Sequence, residues 1–209
     1  YSNIRKFVYF LLVCNVGEIL IIFFAMLFGL PLPLKPVQLL LLNLVTDGAP
    51  ALALGLEKGE PDIMQRPPRP AKEPVINKDM LIGLIVIPIV DAIAILSVFS
   101  LFLSRFQGQV GQAQTVAFAT LCASELLRAF TARSERNSIA AVGLTSNKWM
   151  VWAFGSSLVI VLCTIYLPFL QTLFGTVALS LVDWAIMLPF IFMAPAAAEC
   201  VKVFVRRTY

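Results

Sequence analysis

Apolar residues run along this chain in long unbroken blocks separated by short polar stretches, with little of the alternation expected of half-buried strands. Six blocks, at roughly residues 6–28, 37–56, 80–104, 114–132, 148–170 and 180–204, are long enough to cross a bilayer as helices. About 20 residues at ~1.5 Å rise span a hydrocarbon core of ~30 Å. The pattern therefore predicts an all-α polytopic membrane protein, a six-transmembrane-helix bundle built of hairpins. Ala194, Ala196, Ala197 and Ala198 are predicted to let the last helix approach its neighbours closely.

Composition sharpens this reading. With 59% hydrophobic and 13% charged residues, the chain is not an ordinary soluble domain. Cys14, Cys122, Cys163 and Cys200 fall in separate blocks without CxxC spacing, so they are expected to be buried packing residues. If the N-terminus faces the cytoplasm, all of the sixteen Lys and Arg residues except Lys35 and Arg105 lie on the cytoplasmic side. That bias predicts cytoplasmic termini and explains the +4 balance as topology, with no nucleic-acid partner expected. The opening YSNIRKF has neither a methionine nor the features of a signal peptide, and the chain is read as part of a longer protein.

The second and third blocks are joined by a different kind of segment. Residues 57–79 hold Pro61, Pro67, Pro68, Pro70 and Pro74 among interleaved charges, predicting a stiff, extended cytoplasmic loop that could couple to another domain.

Candidate chemistry lies where polar groups interrupt the apolar blocks. An ionisable side chain near the bilayer centre costs at least ~2.5 to 3.5 kcal/mol, so Glu18, Asp47, Asp91 and Glu125 each need a partner or a purpose. Counted from the outer ends of their spans, Glu18, Asp47 and Glu125 all lie ~15 to 17 Å deep. Three carboxylates at one depth on three helices can converge on one cation. Asn15 shares a helix face with Glu18 by i, i+3 spacing, and Asn43, Thr46 and Asp47 share another at i, i+3 and i+4. Pro50 denies an N–H to the carbonyl of Thr46, disfavours helical angles at Ala49 and follows the permissive Gly48, so a broken second helix is predicted beside Asp47. Irregular backbone at that depth belongs where it lines a cavity.

The candidate metal ligands are thus Asn15, Glu18, Asn43, Thr46, Asp47 and Glu125. They form an all-oxygen shell, with no histidine in the chain and no cysteine expected nearby, and suit Ca²⁺ with its six to eight oxygens. Arg128, one turn beyond Glu125, either pairs with it or snorkels to the cytoplasmic interface, and the second is expected. Asp91, three residues after Pro88, is read as a hydrogen-bonding group rather than a proton relay or a partner to a neighbouring helix. Glu199 and Lys202, at i, i+3, are expected to pair.

NVGE (Asn15 to Glu18), PVQLLLLNLVTDGAPALALG (Pro36 to Gly55), DIMQRPPRPAKEP (Asp62 to Pro74) and ASELLRAF (Ala123 to Phe130) resemble the second half of the membrane domain of type II P-type cation-transporting ATPases. The likeness is greatest to sarco/endoplasmic-reticulum-type calcium pumps and their bacterial counterparts. It spans nearly the whole chain, as transmembrane helices five to ten, although the last two match mainly in pattern. The resemblance implies that Asn15, Glu18, Thr46, Asp47 and Glu125 form one Ca²⁺ site. Asn43 and Asp47 would share a second, completed by a helix four outside this chain. It further implies ATP-driven Ca²⁺ transport with proton counter-transport, for which Glu18 and Glu125 are the candidates. An emptied carboxylate cluster in low dielectric takes up protons to relieve like-charge repulsion.

No DKTGT phosphorylation motif occurs here, so ATP and Mg²⁺ belong to the remaining cytoplasmic domains of the same pump. The fragment alone is expected to bind ions without hydrolysing ATP. The Pro-rich loop would contact the phosphorylation domain, with Glu60 and Asp62 acidic and Gln65 in place of another acid. The implied location is a bacterial plasma membrane. Alternatives are a P-type pump for Mn²⁺ or a monovalent cation and, from another class, a stand-alone secondary transporter or channel.

Overall fold

The structure, a computed structural model, describes residues 1–58, 74–76, 78–134 and 137–208, with the side chains of 78, 79 and 205–208 left out. Most of the Pro-rich loop predicted over 57–79, including its acidic positions Glu60 and Asp62, therefore lies outside the described residues. Among those described, the chain forms helices α1 (Ser2–Leu27), α2 (Pro36–Leu41), a π-helical segment (Leu42–Asp47), α3 (Gly48–Gly55), α4 (Lys78–Arg105), α5 (Val110–Thr131), α6 (Ile139–Val142), α7 (Lys148–Tyr166), α8 (Pro168–Phe174) and α9 (Leu181–Thr208). No strand occurs among them.

Hydrogen bonds between elements fix how the helices run. At one end, Asn3 donates to the carbonyls of Gly55 and Glu57, Arg133 and Asn147 both reach Glu57, and Lys202 donates to the carbonyl of Asn137. At the other, Gln114 donates to Leu32, Lys35 to Gly175 and Gln38 to Phe174. The chain thus passes from end to end six times, through α1, the α2–π–α3 unit, α4, α5, α7 and α9.

Five of these passes are long and apolar enough to cross a membrane. The sixth, α5, is long enough at 22 residues but less apolar, and sixteen of those residues are buried. Its surroundings are protein. Its Phe118 and Leu121 lie in the main core with Phe99 and Phe102 of α4, Ile165 of α7 and Met187 of α9. Large apolar side chains such as Leu52, Phe169 and Leu181 cover the outside, as in a multi-pass membrane protein.

Two expectations need correction. The fifth span stops at Tyr166 rather than running to 170, because Leu167, preceding Pro168, is held extended at φ −87°, ψ 122°. A short helix, α8, then ends at Gly175, whose φ of +62° suits glycine and whose missing Cβ leaves room for the Lys35 ammonium. In α9 only Ala194 and Ala198, one turn apart, pack inward against Val13 and Ile87, whereas Ala196 is exposed.

The end of the bundle near Glu57 is tied by one charged cluster. Arg133 places Nε and Nη2 on the two Glu57 oxygens at 2.8 and 2.9 Å. Asn147 adds a bond of 2.9 Å to the same carboxylate while its own oxygen caps α7. Burial opposes ionisation of Glu57, but the bonds from Arg133 and Asn147 outweigh it and hold the carboxyl below its ordinary 4.5. A depressed carboxylate contributes stability that is complete above the unfolded value and disappears as pH falls through the folded one. Glu57→Gln is expected to cost about 1.5–3 kcal/mol at neutral pH. Melting temperatures in detergent should show the gap to the parent narrowing as pH drops below about 4.5. A gap that does not vary with pH would count against the ion pair.

Candidate cation site

Halfway along the bundle, three elements bring carboxylates together. Glu18 comes from the middle of α1, Asp47 from the end of the π-helical segment, and Glu125 from α5. Asp47 and Glu125 have no exposed surface, and Glu18 retains 7%. Asp47 and Glu125 approach one another directly, and Glu18 is joined to them through Asn43 of the π-helical segment.

The local backbone explains how Asp47 reaches inward. The interruption falls where Pro50 and Gly48 placed it, yet it is a π turn rather than a loss of helix. Asp47 sits at φ −97°, ψ −47° and Gly48 at φ −62°, ψ −49°, both still helical. Pro50 lies in the first turn of α3, where its lack of an N–H is tolerated. Widening the preceding turn accommodates the carbonyls that Pro50 leaves unbonded. Such single π turns re-aim side chains and recur at functional positions.

The hydrogen bonds divide the candidate ligands. Asn43 donates its amide to both Glu18 oxygens at 3.1 and 2.8 Å. Thr46 donates to the carbonyl of Leu42 at 2.9 Å and lies 3.5 Å from Glu125 Oε2. Both Asp47 oxygens and Glu125 Oε1 are buried without a hydrogen-bond partner. Buried polar atoms are almost always hydrogen-bonded, so three carboxylate oxygens in one place without a hydrogen bond mark an unfilled role. Asn15 is not brought into the cluster. Its side chain is exposed and its amide donates to the carbonyl of Leu11 at 2.8 Å.

Cys14 is the residue the sequence reading misplaced. Its sulfur and one oxygen each from Asp47 and Glu125 all lie within 4.8 Å of one another, so a cysteine does stand beside the carboxylates. A signal was present, since Cys14 is four residues before Glu18 and shares its helix face. Cys122 is buried as expected, but Cys163 is half-buried and Cys200 exposed.

Arg128 and Asp91 also depart from expectation. Arg128 is 2% exposed and does not snorkel. Its Nη1 donates to Asp91 Oδ2 at 2.6 Å, while its Nη2 lies 3.0 Å from the Cys14 sulfur and 3.7 Å from Glu125 Oε1. Ser124 donates to the other Asp91 oxygen at 3.2 Å. Asp91 is thus an ion-paired carboxylate linking α4 to α5. A cavity toward the Glu57 end, bordered by Lys6, Tyr9, Met80, Ser134 and Lys202, reaches Arg128 without including the carboxylates. Glu199 and Lys202 pair at 2.8 Å, as their spacing predicted.

With this geometry in place, comparison with known proteins is informative. The profile of the family described as "Cation transporting ATPase, C-terminus" matches residues 31–204. The chain belongs to this family. A calcium-transporting ATPase of Bacillus subtilis (strain 168) is 42% identical over 188 residues, covering 90% of this chain and 21% of the relative. Calcium-transporting ATPase 1 of Bacillus cereus is 35% identical over 217 residues, covering 97% and 24%. The endoplasmic reticulum calcium ATPase srcA of Aspergillus fumigatus is 31% identical over 239 residues, covering 100% and 25%. The chain therefore spans about a fifth to a quarter of the relatives it matches. It corresponds to the membrane-embedded C-terminal part of these cation transporting ATPases.

Proposed function

We propose that this chain is the C-terminal part of the membrane domain of an ATP-driven calcium pump, and that Glu18, Asn43, Thr46, Asp47 and Glu125 receive the transported Ca²⁺. One observation carries the reading: both oxygens of the fully buried Asp47 stand without a hydrogen-bond partner beside a Glu125 oxygen that also lacks a hydrogen bond and meets only the Arg128 charge at 3.7 Å. A divalent cation with a preference for oxygen is the ligand that such a pair lacks. Asn43 and Thr46 already touch the two glutamates and add neutral oxygens. Asn15 completes the set by turning from the Leu11 carbonyl toward Glu18, a rotation its exposure permits. The relatives, named as calcium-transporting ATPases, support Ca²⁺ as cargo.

On this reading ATP and Mg²⁺ act in cytoplasmic domains elsewhere in the pump. The Glu57 end of the bundle faces the cytoplasm, and the loop over 57–79 meets those domains. Protons return on Glu18 and Glu125 as the cation leaves, which keeps the emptied carboxylates from facing one another charged. Competition in ATPase assays of the full-length pump tests the assignment. Micromolar Ca²⁺ is expected to stimulate hydrolysis, with Mn²⁺ weaker and Na⁺ without effect. Activity indifferent to Ca²⁺ from the micromolar to the millimolar range would overturn it.

A further inference from the structure

We propose that Cys14 makes this same site a trap for thiophilic divalent cations such as Cd²⁺ and Zn²⁺, and that it sets how strongly they compete with the transported ion. The inference rests on the calcium reading and adds a sulfur ligand to it. Cys14 is fully buried in α1, and its sulfur shares a 4.8 Å cluster with oxygens of Asp47 and Glu125. Both Asp47 oxygens and Glu125 Oε1 are buried there without a hydrogen bond, so the thiol stands beside carboxylate oxygens free to take a metal. A thiolate with two carboxylates matches the coordination of Zn²⁺ and its heavier congener, whereas Ca²⁺ gains little from sulfur.

Metal capture forms a metal–sulfur bond and releases the thiol proton to water, with no change of oxidation state. Arg128, at 3.0 Å from the sulfur, gives up that contact as the metal arrives. Its bond of 2.6 Å to Asp91 keeps it in place.

The test uses the full-length pump with Cd²⁺ as the probe, in the parent, Cys14→Ser and Cys14→Ala forms. The parent is expected to show sulfur-to-cadmium charge-transfer absorption that Ca²⁺ displaces, and that both variants lack. Loss of a ligand costs no less than loss of an outer partner, so the Cd²⁺ concentration that halves ATPase activity should rise at least about tenfold in Cys14→Ser. The half-saturating Ca²⁺ concentration should move less than about threefold. Equal Cd²⁺ inhibition of parent and serine variant, or an undiminished absorption band without Cys14, overturns the proposal. If neither variant folds, the unmodified pump decides: a band removed by Ca²⁺ supports shared occupancy, and a band that persists at saturating Ca²⁺ refutes it. If Ca²⁺ stimulates neither protein while the Cys14-dependent band remains, the calcium reading fails and the metal site stands.

Discussion

Replacing Asp47 by Asn in the full-length pump is expected to abolish Ca²⁺-dependent phosphorylation by ATP. The substitution preserves shape, so the π turn and the packing around it survive. What changes is charge and polarity: one anionic oxygen becomes an amide that donates hydrogen bonds. Ligand charge and rigidity move the affinity of oxygen-ligand Ca²⁺ sites over several orders of magnitude, so a loss of at least about hundredfold is expected. Because Asp47 has no hydrogen-bond partner and is fully buried, its charge is a burden in the absence of a cation. The variant should therefore melt no lower than the parent in Ca²⁺-free detergent, and the stabilisation that Ca²⁺ gives the parent should vanish. Phosphorylation retained at the parental Ca²⁺ concentration would remove Asp47 from the shell.

The second large effect concerns stability. Arg128→Met strips the buried Asp91 carboxylate of its counter-charge, and breaking a buried pair from one side costs about 3–5 kcal/mol. The upper end is expected here, since the same guanidinium also faces Glu125 and Cys14. Adding Asp91→Leu removes the orphaned charge and should recover most of the loss, because apolar replacement of both partners is close to neutral. Thermal unfolding of the four proteins of this cycle in Ca²⁺-free detergent gives the coupling. A single variant within about 0.5 kcal/mol of the parent, or a double variant no better than the single, would show that the pair is not what holds α4 to α5 here.

Much of this arrangement was legible in the sequence, for reasons that differ by residue. Long apolar blocks must become helices in lipid, so the six passes could be found and their depths compared. Similar depth, shared helix faces and the family resemblance together pointed to Asp47 beside Glu125. Rotation about a helix axis is harder to read. Asn15 and Cys14 both lie within a turn of Glu18, and only tertiary packing decides that the cysteine turns inward while the amide stays exposed. The Asp91–Arg128 pair was hidden because it joins different helices: the only carboxylate weighed against snorkelling was Glu125 on the same helix, one turn away. Pro168 was a stop signal inside an apolar run, overridden by hydropathy. Pro50 was read correctly as a disturbance, but the choice between a broken helix and a π turn depends on carbonyl partners that no local rule supplies.

The enclosed character of α5 has a consequence for how the protein is made. A segment carrying Glu125 and Arg128 in its C-terminal half partitions poorly into lipid on its own, each ionised side chain adding about 2.5 to 3.5 kcal/mol at the centre of a span. In the folded bundle α4 supplies what such a segment lacks, because its Asp91 accepts the Arg128 charge. During biosynthesis the two would leave the translocon together as a pre-assembled hairpin, so the acid that secures the finished bundle also acts as an escort for a helix that could not enter the bilayer alone.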